Sequence, residues 1–522
     1  MVNRRILLYL FLLFMSLYSF FSIGHFGGDG YNEYLTAESI VLDGNTRLYD
    51  RPNDPDQLKN FRSDIGIKAR NGDIYSARSC LGVSLPLSVF YALGHIIASI
   101  FKNVPHDFVT MLVVSFYNPF ITASTVLFIF IISIHLGFKH VTSLILSMIY
   151  GFSTMIPVYA RAGFAEPTLA LSLLISVYWV ICYSKSLEKK FLIYSALFLS
   201  YCILTKAVAF LFFPCFLIYI LWCIFSGGQN LFDGFKAISL YVFVFLFSNI
   251  FVFIYNYYIY GSIFNFGGTN SISVTARVAL STHFLKGAYY YLLSPGKSLI
   301  LFNLPIILSF IGLVKVSKGR RKETVLFLLI FVVNLIFFVK SFRRGSLYCW
   351  GPRYLFLSLP FLVLLIGNYY EGYRNYVARA FLWFLSFAGF IIMLPCMFVN
   401  QSKFYMFVVE KLKQDEYLIN FIPDLSPIKG AWCMFISRIA HTITGNGIPF
   451  NYAPDYKLVK PVSALMEKYN HFDLWFLAVI KQSPQFATAV FAVLVFLVLL
   501  SVVSAYKVCG LSMTEDIKHA TE

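Results

Sequence analysis

An all-α bundle of membrane-spanning helices is the fold class this sequence predicts, and three observations predict it. The chain is 58% hydrophobic and only 13% charged, outside the range of soluble globular proteins. The apolar residues come in runs of about 15 to 29, and roughly 20 residues at 1.5 Å rise cross a hydrocarbon core. The 42 Lys and Arg, against 25 Asp and Glu, fall in short clusters between those runs. Such clustering marks orientation in a membrane and excludes a nucleic-acid footprint.

In chain order the runs are 6–24, 108–136, 141–159, 168–183, 191–205, 207–225, 237–258, 299–315, 324–341, 354–370, 379–399 and 485–506, about twelve spans. The first follows Asn3-Arg4-Arg5 and lacks a small-residue cleavage pattern, so it reads as a retained helix. Asn3-Arg4-Arg5, Lys139-His140, Lys185 to Lys190, Lys315 to Lys322 and Arg374 to Arg379 are assigned to the cytoplasmic side. Gly82 to Phe101 is also apolar, but a full crossing there would put the later basic clusters outside. It therefore reads as a juxtamembrane or re-entrant helix. The 57 Phe and 35 Tyr supply interfacial belts. Cys182, Cys202, Cys215, Cys223 and Cys396 lie in apolar runs without CxxC spacing, which predicts neither a disulfide framework nor a metal site.

This topology divides the chain into a transmembrane module, 1–399, a small outer helical segment, 400–484, and a last span with a cytoplasmic tail, 485–522. Three polar segments face outward: 25–81, 259–298 and 400–484. In the first, Asp43-Gly-Asn-Thr and Arg51-Pro-Asn-Asp-Pro-Asp56 read as loop. Tyr31, Tyr34, Leu35, Ile40 and Val41 recur at helical spacing, which predicts a helix lying along the membrane surface. In the third, Lys411 to Ile422 and Val462 to Tyr469 read as amphipathic helices capping the bundle. Neither an internal repeat nor a pair of matching broken helices is present, which argues against an inverted-repeat transporter.

Chemistry-bearing residues gather on the outer side. Asp29 stands in the glycine-rich stretch Gly24 to Tyr34, where the first helix emerges into water; glycines there let backbone and ligand approach closely. Glu33 follows four residues on, sharing a helix face if a helix starts at Gly30. The plainer alternative makes Asp29 the cap of that helix. Glu166, just before Pro167, and Arg161 lie on the same side; an acid ahead of Pro is also an ordinary helix start. Lys206 interrupts two apolar runs and either snorkels or meets an anion. Lys297, Arg343, Arg344 and Arg353 run against the positive-inside bias. Interfacial anchoring explains them, and so does a phosphate or pyrophosphate partner.

Taken together, Gly28-Asp29, Asn71-Gly-Asp-Ile-Tyr75-Ser76, Arg161 to Pro167, Leu204-Thr205-Lys206, Leu293 to Lys297 and Trp350 to Tyr354 resemble the motifs of the GT-C superfamily of integral-membrane glycosyltransferases. The branch resembled contains the protein O-mannosyltransferases and the lipid A aminoarabinose transferases, and the resemblance spans about the first 370 residues. It implies a GT-C-type bundle with juxtamembrane helices in the first outer loop. It further implies transfer of one sugar, with inversion, from a polyprenyl-phosphate donor to a lipid, glycan or protein acceptor. By resemblance, Asp29 is the base and Glu166, at the second acidic motif, orients sugar or acceptor. Lys206, Arg353 and Lys297 would hold the departing phosphate, with Arg161, Glu33 and Tyr75 nearby. Gly30 stands where relatives often carry a second acid. No metal or other cofactor is expected, since the second loop lacks an Asp-x-Asp motif.

Two rival readings share these features. A lipid or solute transporter would use intramembrane charges as a path, but needs them at the midplane. A glycan polymerase or ligase acting on pyrophosphate carriers would expect essential outer arginines, for which Arg343, Arg344 and Arg353 qualify. The compact loops favour a bacterial inner membrane, with the site facing the periplasm or exterior.

Overall fold

A computed structural model describes residues 3–26, 30–48, 66–69, 72–76, 81–227, 230–266, 283–340, 348–406, 408–409, 420–445 and 471–521. Helices dominate these residues, and nine of them are long and apolar enough to cross a membrane. They are Leu81–Ile100, His106–His135, Glu166–Ser186, Ala207–Ser226, Leu231–Tyr260, Lys318–Lys340, Arg353–Gly372, Tyr376–Met397 and Pro484–Lys518. The protein is an all-α, multi-pass membrane protein.

The count differs from the sequence expectation because four of the expected runs give shorter or broken helices. Runs 6–24 and 191–205 form Arg4–Phe20 and Lys189–Thr205, each of 17 residues. Run 141–159 breaks into His140–Phe152 and Ile156–Ala160, with Pro157 in the first turn of the second piece. Run 299–315 opens with a 3-10 segment, Leu301–Ile306, holding Pro305 and a non-helical Asn303 (φ −151°, ψ 54°). One side chain ties the last two breaks together. Asn303 Oδ1 accepts Met155 N at 2.9 Å and its Nδ2 donates to Leu299 O at 2.9 Å, satisfying groups a continuous helix would have paired.

Contacts between distant loops define two ends. At the basal end Asn3 donates to Glu515 Oε1 (2.8 Å), and Asp516 accepts His140 N (2.7 Å) and Val141 N (3.0 Å). Arg320 meets Glu371 there at 3.0 Å. At the apical end Ser22 O accepts Trp475 N (2.9 Å), Ser22 donates to Ser115 Oγ (3.2 Å), and Asn118 donates to Ala162 O and Phe164 O. The basic residues around Lys139 and Arg320 thus share an end with Asn3.

Leu81–Ile100 starts and finishes among apical elements. Gly82 lies so tightly against the end of Lys189–Thr205 that a Cβ would come 2.2 Å from Thr205 Oγ1, and Tyr201 Oη donates to Gly82 O. Beyond its other end, Phe101 stacks edge-on against Phe486 at 5.7 Å, beside the start of the last helix. Its length and apolarity suit a crossing.

The helix expected at 31–42 is present as Gly30–Asp43, with Tyr34 buried and Leu35 and Val41 packed against the same core cluster. It buries Asn32, Glu33, Thr36 and Ser39 along with Tyr34 and Ala37, while Tyr31 and Leu42 stay at the surface. Polar groups are costly in lipid, so the polar stripe turns toward protein. The sequence reading did not foresee a small antiparallel hairpin, Gly66–Lys68 with Ile74–Ser76, that rests on Leu231–Tyr260 through Tyr260 Oη donating to Ser76 O at 3.1 Å. In the third outer segment, Val462 to Tyr469 and nearly all of Lys411 to Ile422 lie outside the described residues. An unanticipated helix, Pro427–Thr444, is capped by Ser426 and closed by Gly445 at φ +73°, a conformation that favours glycine.

Candidate functional site

Three chain segments that are far apart in sequence meet at the apical end because each is interrupted there. Glu166 begins Glu166–Ser186, with Pro167 supplying a first turn that needs no N–H. Lys206 ends Lys189–Thr205 in an extended conformation (φ −154°, ψ 130°), so the two apolar runs around it are not one helix. Arg353 opens the 3-10 segment Arg353–Ser358, after Gly351 at φ +59° and Pro352. Tyr159 Oη fixes that turn by donating to Trp350 O at 2.8 Å.

These interruptions bring two cations onto one carboxylate oxygen. Glu166 Oε1 accepts Lys206 Nζ at 2.5 Å and Arg353 Nε at 2.6 Å. Glu166 Oε2 is buried and has no hydrogen-bond partner among the described residues. The Arg353 guanidinium lies over the Phe164 ring at 4.4 Å, with Nη1 3.5 Å from Cys349 Sγ; Lys206 faces the Tyr354 ring at 5.9 Å. Burying a charge is expensive unless it is paired, so the carboxylate and the cations need one another.

Lys297 joins through Cys349. Its fully buried Nζ donates to Cys349 O at 2.5 Å and faces the Tyr405 ring at 5.0 Å. The preceding Gly296 permits this placement, since a Cβ there would come 2.6 Å from Asn420 Cα. Burial, with a smaller push from Arg353, brings the lysine's pKa from 10.5 down to about 7.

Other expected residues are distributed less simply. Asp29 lies outside the described residues, as do Arg343 and Arg344. Gly30, bonded to Asp29, sits against the loop before Glu166, where a Cβ would come 2.5 Å from Gly163 O. Glu33 is buried one turn into the same helix. Arg161 is buried but does not join the Glu166 pair. It donates to Cys396 O (2.5 Å), Val399 O (3.4 Å) and Asp473 O, tying its loop to the end of Tyr376–Met397 and to the chain before Trp475. Tyr75 packs with Ala69 and Ile259 in a separate apolar cluster.

The sequence reading missed a second polar group beside Arg161. Asn400 Nδ2 donates to Asp473 Oδ2 at 2.9 Å, and Lys403 Nζ lies 2.5 Å from His471 Nε2. Burial raises the Asp473 pKa, but Lys403, Arg161 and His25 outweigh it and hold the carboxyl below its usual range. No local pattern marks Asp473 in the sequence, because its partners lie in other segments. Among the described residues no three His, Cys, Asp or Glu side chains form a metal-binding group. No protein-family model matches the chain, and no curated protein matches it.

Proposed function

We propose that the chain is a glycosyltransferase that moves one sugar from a polyprenyl-phosphate carrier to a lipid, glycan or protein acceptor, inverting the anomeric centre. The observation that carries this reading is the convergence of Lys206 and Arg353, from separate segments, on buried Glu166 at one end of a membrane bundle, with Lys297 joined through Cys349. Cations gathered at a largely buried carboxylate suit a phosphate on which negative charge develops. Each buried charged residue among those described belongs to the apical end, or, for Glu323, to the basal end. That distribution suits chemistry at one face better than a path through the midplane.

In this reading the acceptor hydroxyl attacks C1 of the sugar and its proton passes to the Asp29 carboxylate. The bond from C1 to the phosphate oxygen breaks, and its electron pair leaves with the polyprenyl phosphate, which Lys206, Arg353 and Lys297 stabilise. Glu166 orients those cations as well as the sugar or acceptor. The architecture fits a GT-C-type bundle of twelve spans. Besides eight of the nine long apolar helices, Arg4–Phe20, His140–Ala160, Lys189–Thr205 and Leu301–Lys315 would cross, and the ninth, Leu81–Ile100, would lie at the surface. The basal end would be cytoplasmic, and the apical site would face the periplasm or exterior of a bacterial inner membrane.

The test is transfer of radiolabelled sugar from a panel of polyprenyl-phosphate sugars to membrane extract, comparing wild type with Asp29→Asn. The expected result is transfer by wild type and a loss of about 100-fold or more in the variant. Equal transfer by both would leave the enzyme standing and remove Asp29 as base, whereas no transfer from any donor would overturn the reading.

A further inference from the structure

Glu166 sits where a ligand anion would sit. Its Oε1 receives the two cations that the proposed function assigns to phosphate, at 2.5 and 2.6 Å, while its buried Oε2 has no described hydrogen-bond partner. An unmet buried acceptor carries a desolvation cost, and what sets Glu166 apart from buried Glu323, whose Oε1 takes one tyrosine hydroxyl, is that two side-chain cations share its other oxygen. The two cations also differ in freedom. The Arg353 side chain is 8% exposed and stacked on Phe164, whereas the Lys206 side chain is 28% exposed on a flexible stem.

We propose that Glu166 is the site's internal counter-anion, occupying the place of a phosphate oxygen, and that a lipid phosphate binds by drawing Lys206 away from it while Arg353 stays paired. This rests on the reading that the site takes a lipid phosphate. It adds that the resting protein inhibits its own phosphate site, so ligand affinity is set by competition with Glu166. Lys206 and Arg353 share the single charge of Glu166 when the site is empty, and the departing phosphate is released when Glu166 reclaims Lys206. No covalent bond changes in this exchange.

The test is binding of tritiated geranylgeranyl phosphate to the full-length protein in nanodiscs. Glu166→Gln removes the competitor and should tighten binding roughly tenfold, the equivalent of one charge-assisted hydrogen bond. Glu166→Asp keeps the charge, and with it the fold, but is one methylene too short to reach both cations; it should tighten binding by a smaller factor. In a Lys206→Met background the Glu166→Asp gain should vanish. A merely structural glutamate would give weaker binding in both Glu166 variants. Equal or weaker binding by Glu166→Asp, or a gain that survives Lys206→Met, overturns the counter-anion and leaves the lipid-phosphate site standing if wild type binds. Absence of binding by wild type and all variants overturns both.

Discussion

Glu371 and Glu166 close the two ends of the bundle, and they are bonded in opposite ways. Glu371 uses both oxygens: Oε1 accepts Lys139 N at 3.0 Å and Thr142 Oγ1 at 3.1 Å, and Oε2 accepts Arg320 Nη2 at 3.0 Å. Arg320 is bonded as fully, donating to Leu136 O and Gly137 O and lying over Phe138 at 3.8 Å. Glu166 instead loads two side-chain cations onto Oε1 and leaves Oε2 without a described partner. The basal carboxylate is a finished clamp between loops. The apical one gathers two side-chain cations on one oxygen; an unmet second oxygen is not by itself the difference, since among the described residues buried Glu323 at the basal end also has one, its Oε1 accepting Tyr219 Oη at 2.9 Å.

The comparison breaks most visibly at Arg353. Arg353→Ala should lower sugar transfer by about 10²- to 10³-fold, the cost of removing a fixed cation from a developing charge. It should also destabilise the protein by about 3–5 kcal/mol, because Glu166 loses its most buried partner. Arg353→Lys keeps the charge but not the fixed geometry over Phe164, so thermal stability should recover further than transfer does. Transfer kinetics and thermal unfolding of the two variants check this. Full transfer by Arg353→Ala would make the apical cluster another clamp.

How much of this the sequence carried depends on the range of each interaction. Apolar runs and basic clusters are local patterns, so the membrane class was legible. Glu166-Pro167 was legible as a helix start, and Lys206 stood out between two apolar runs. The tie that Arg161 makes was not legible, because its partners, the carbonyls of Cys396 and Asp473, lie 235 and 312 positions away. Backbone acceptors leave no mark in composition. The Gly30–Asp43 helix was legible from periodicity, but the burial of Asn32, Glu33, Thr36 and Ser39 was not, since in a membrane protein burial selects polar residues as readily as apolar ones. Breaks such as that at Asn303 depend on a donor, Met155 N, in the break between two other helices.

Lys297 sharpens the comparison through pH. Its pKa, about 7 in the folded protein against 10.5 for an exposed lysine, means that across this window the unfolded chain binds a proton that the folded chain does not. Stability therefore rises with pH between about 7 and 10.5, and Lys297 costs most at and below 7. Lys297→Met should be the more stable protein near pH 6, its advantage narrowing toward pH 10, each read by thermal unfolding. Phosphate binding requires the charged lysine, so affinity for geranylgeranyl phosphate should fall by up to about tenfold per pH unit above 7. Lys297→Arg should flatten that dependence. A wild-type affinity independent of pH from 6 to 9 would remove Lys297 from the phosphate site.

The smallest effect belongs to the clamp itself. The Arg320 and Glu371 side chains are 17% and 22% exposed, and partly solvated pairs contribute little net energy, so Glu371→Gln should cost about 1 kcal/mol. The amide still accepts at one oxygen, which preserves a bond from Lys139 N or Thr142. Transfer should stay within about threefold of wild type when both proteins are assayed well below their unfolding temperatures. A tenfold fall under those conditions would mean that the basal clamp sets the position of the apical cations. The route would be structural, because Glu371 stands at the foot of the helix that Arg353 opens, and Lys139 and Thr142 at the foot of the segment that leads to Arg161 and Glu166. The two ends would then be one device, and the contrast between their carboxylates would describe a division of labour within it.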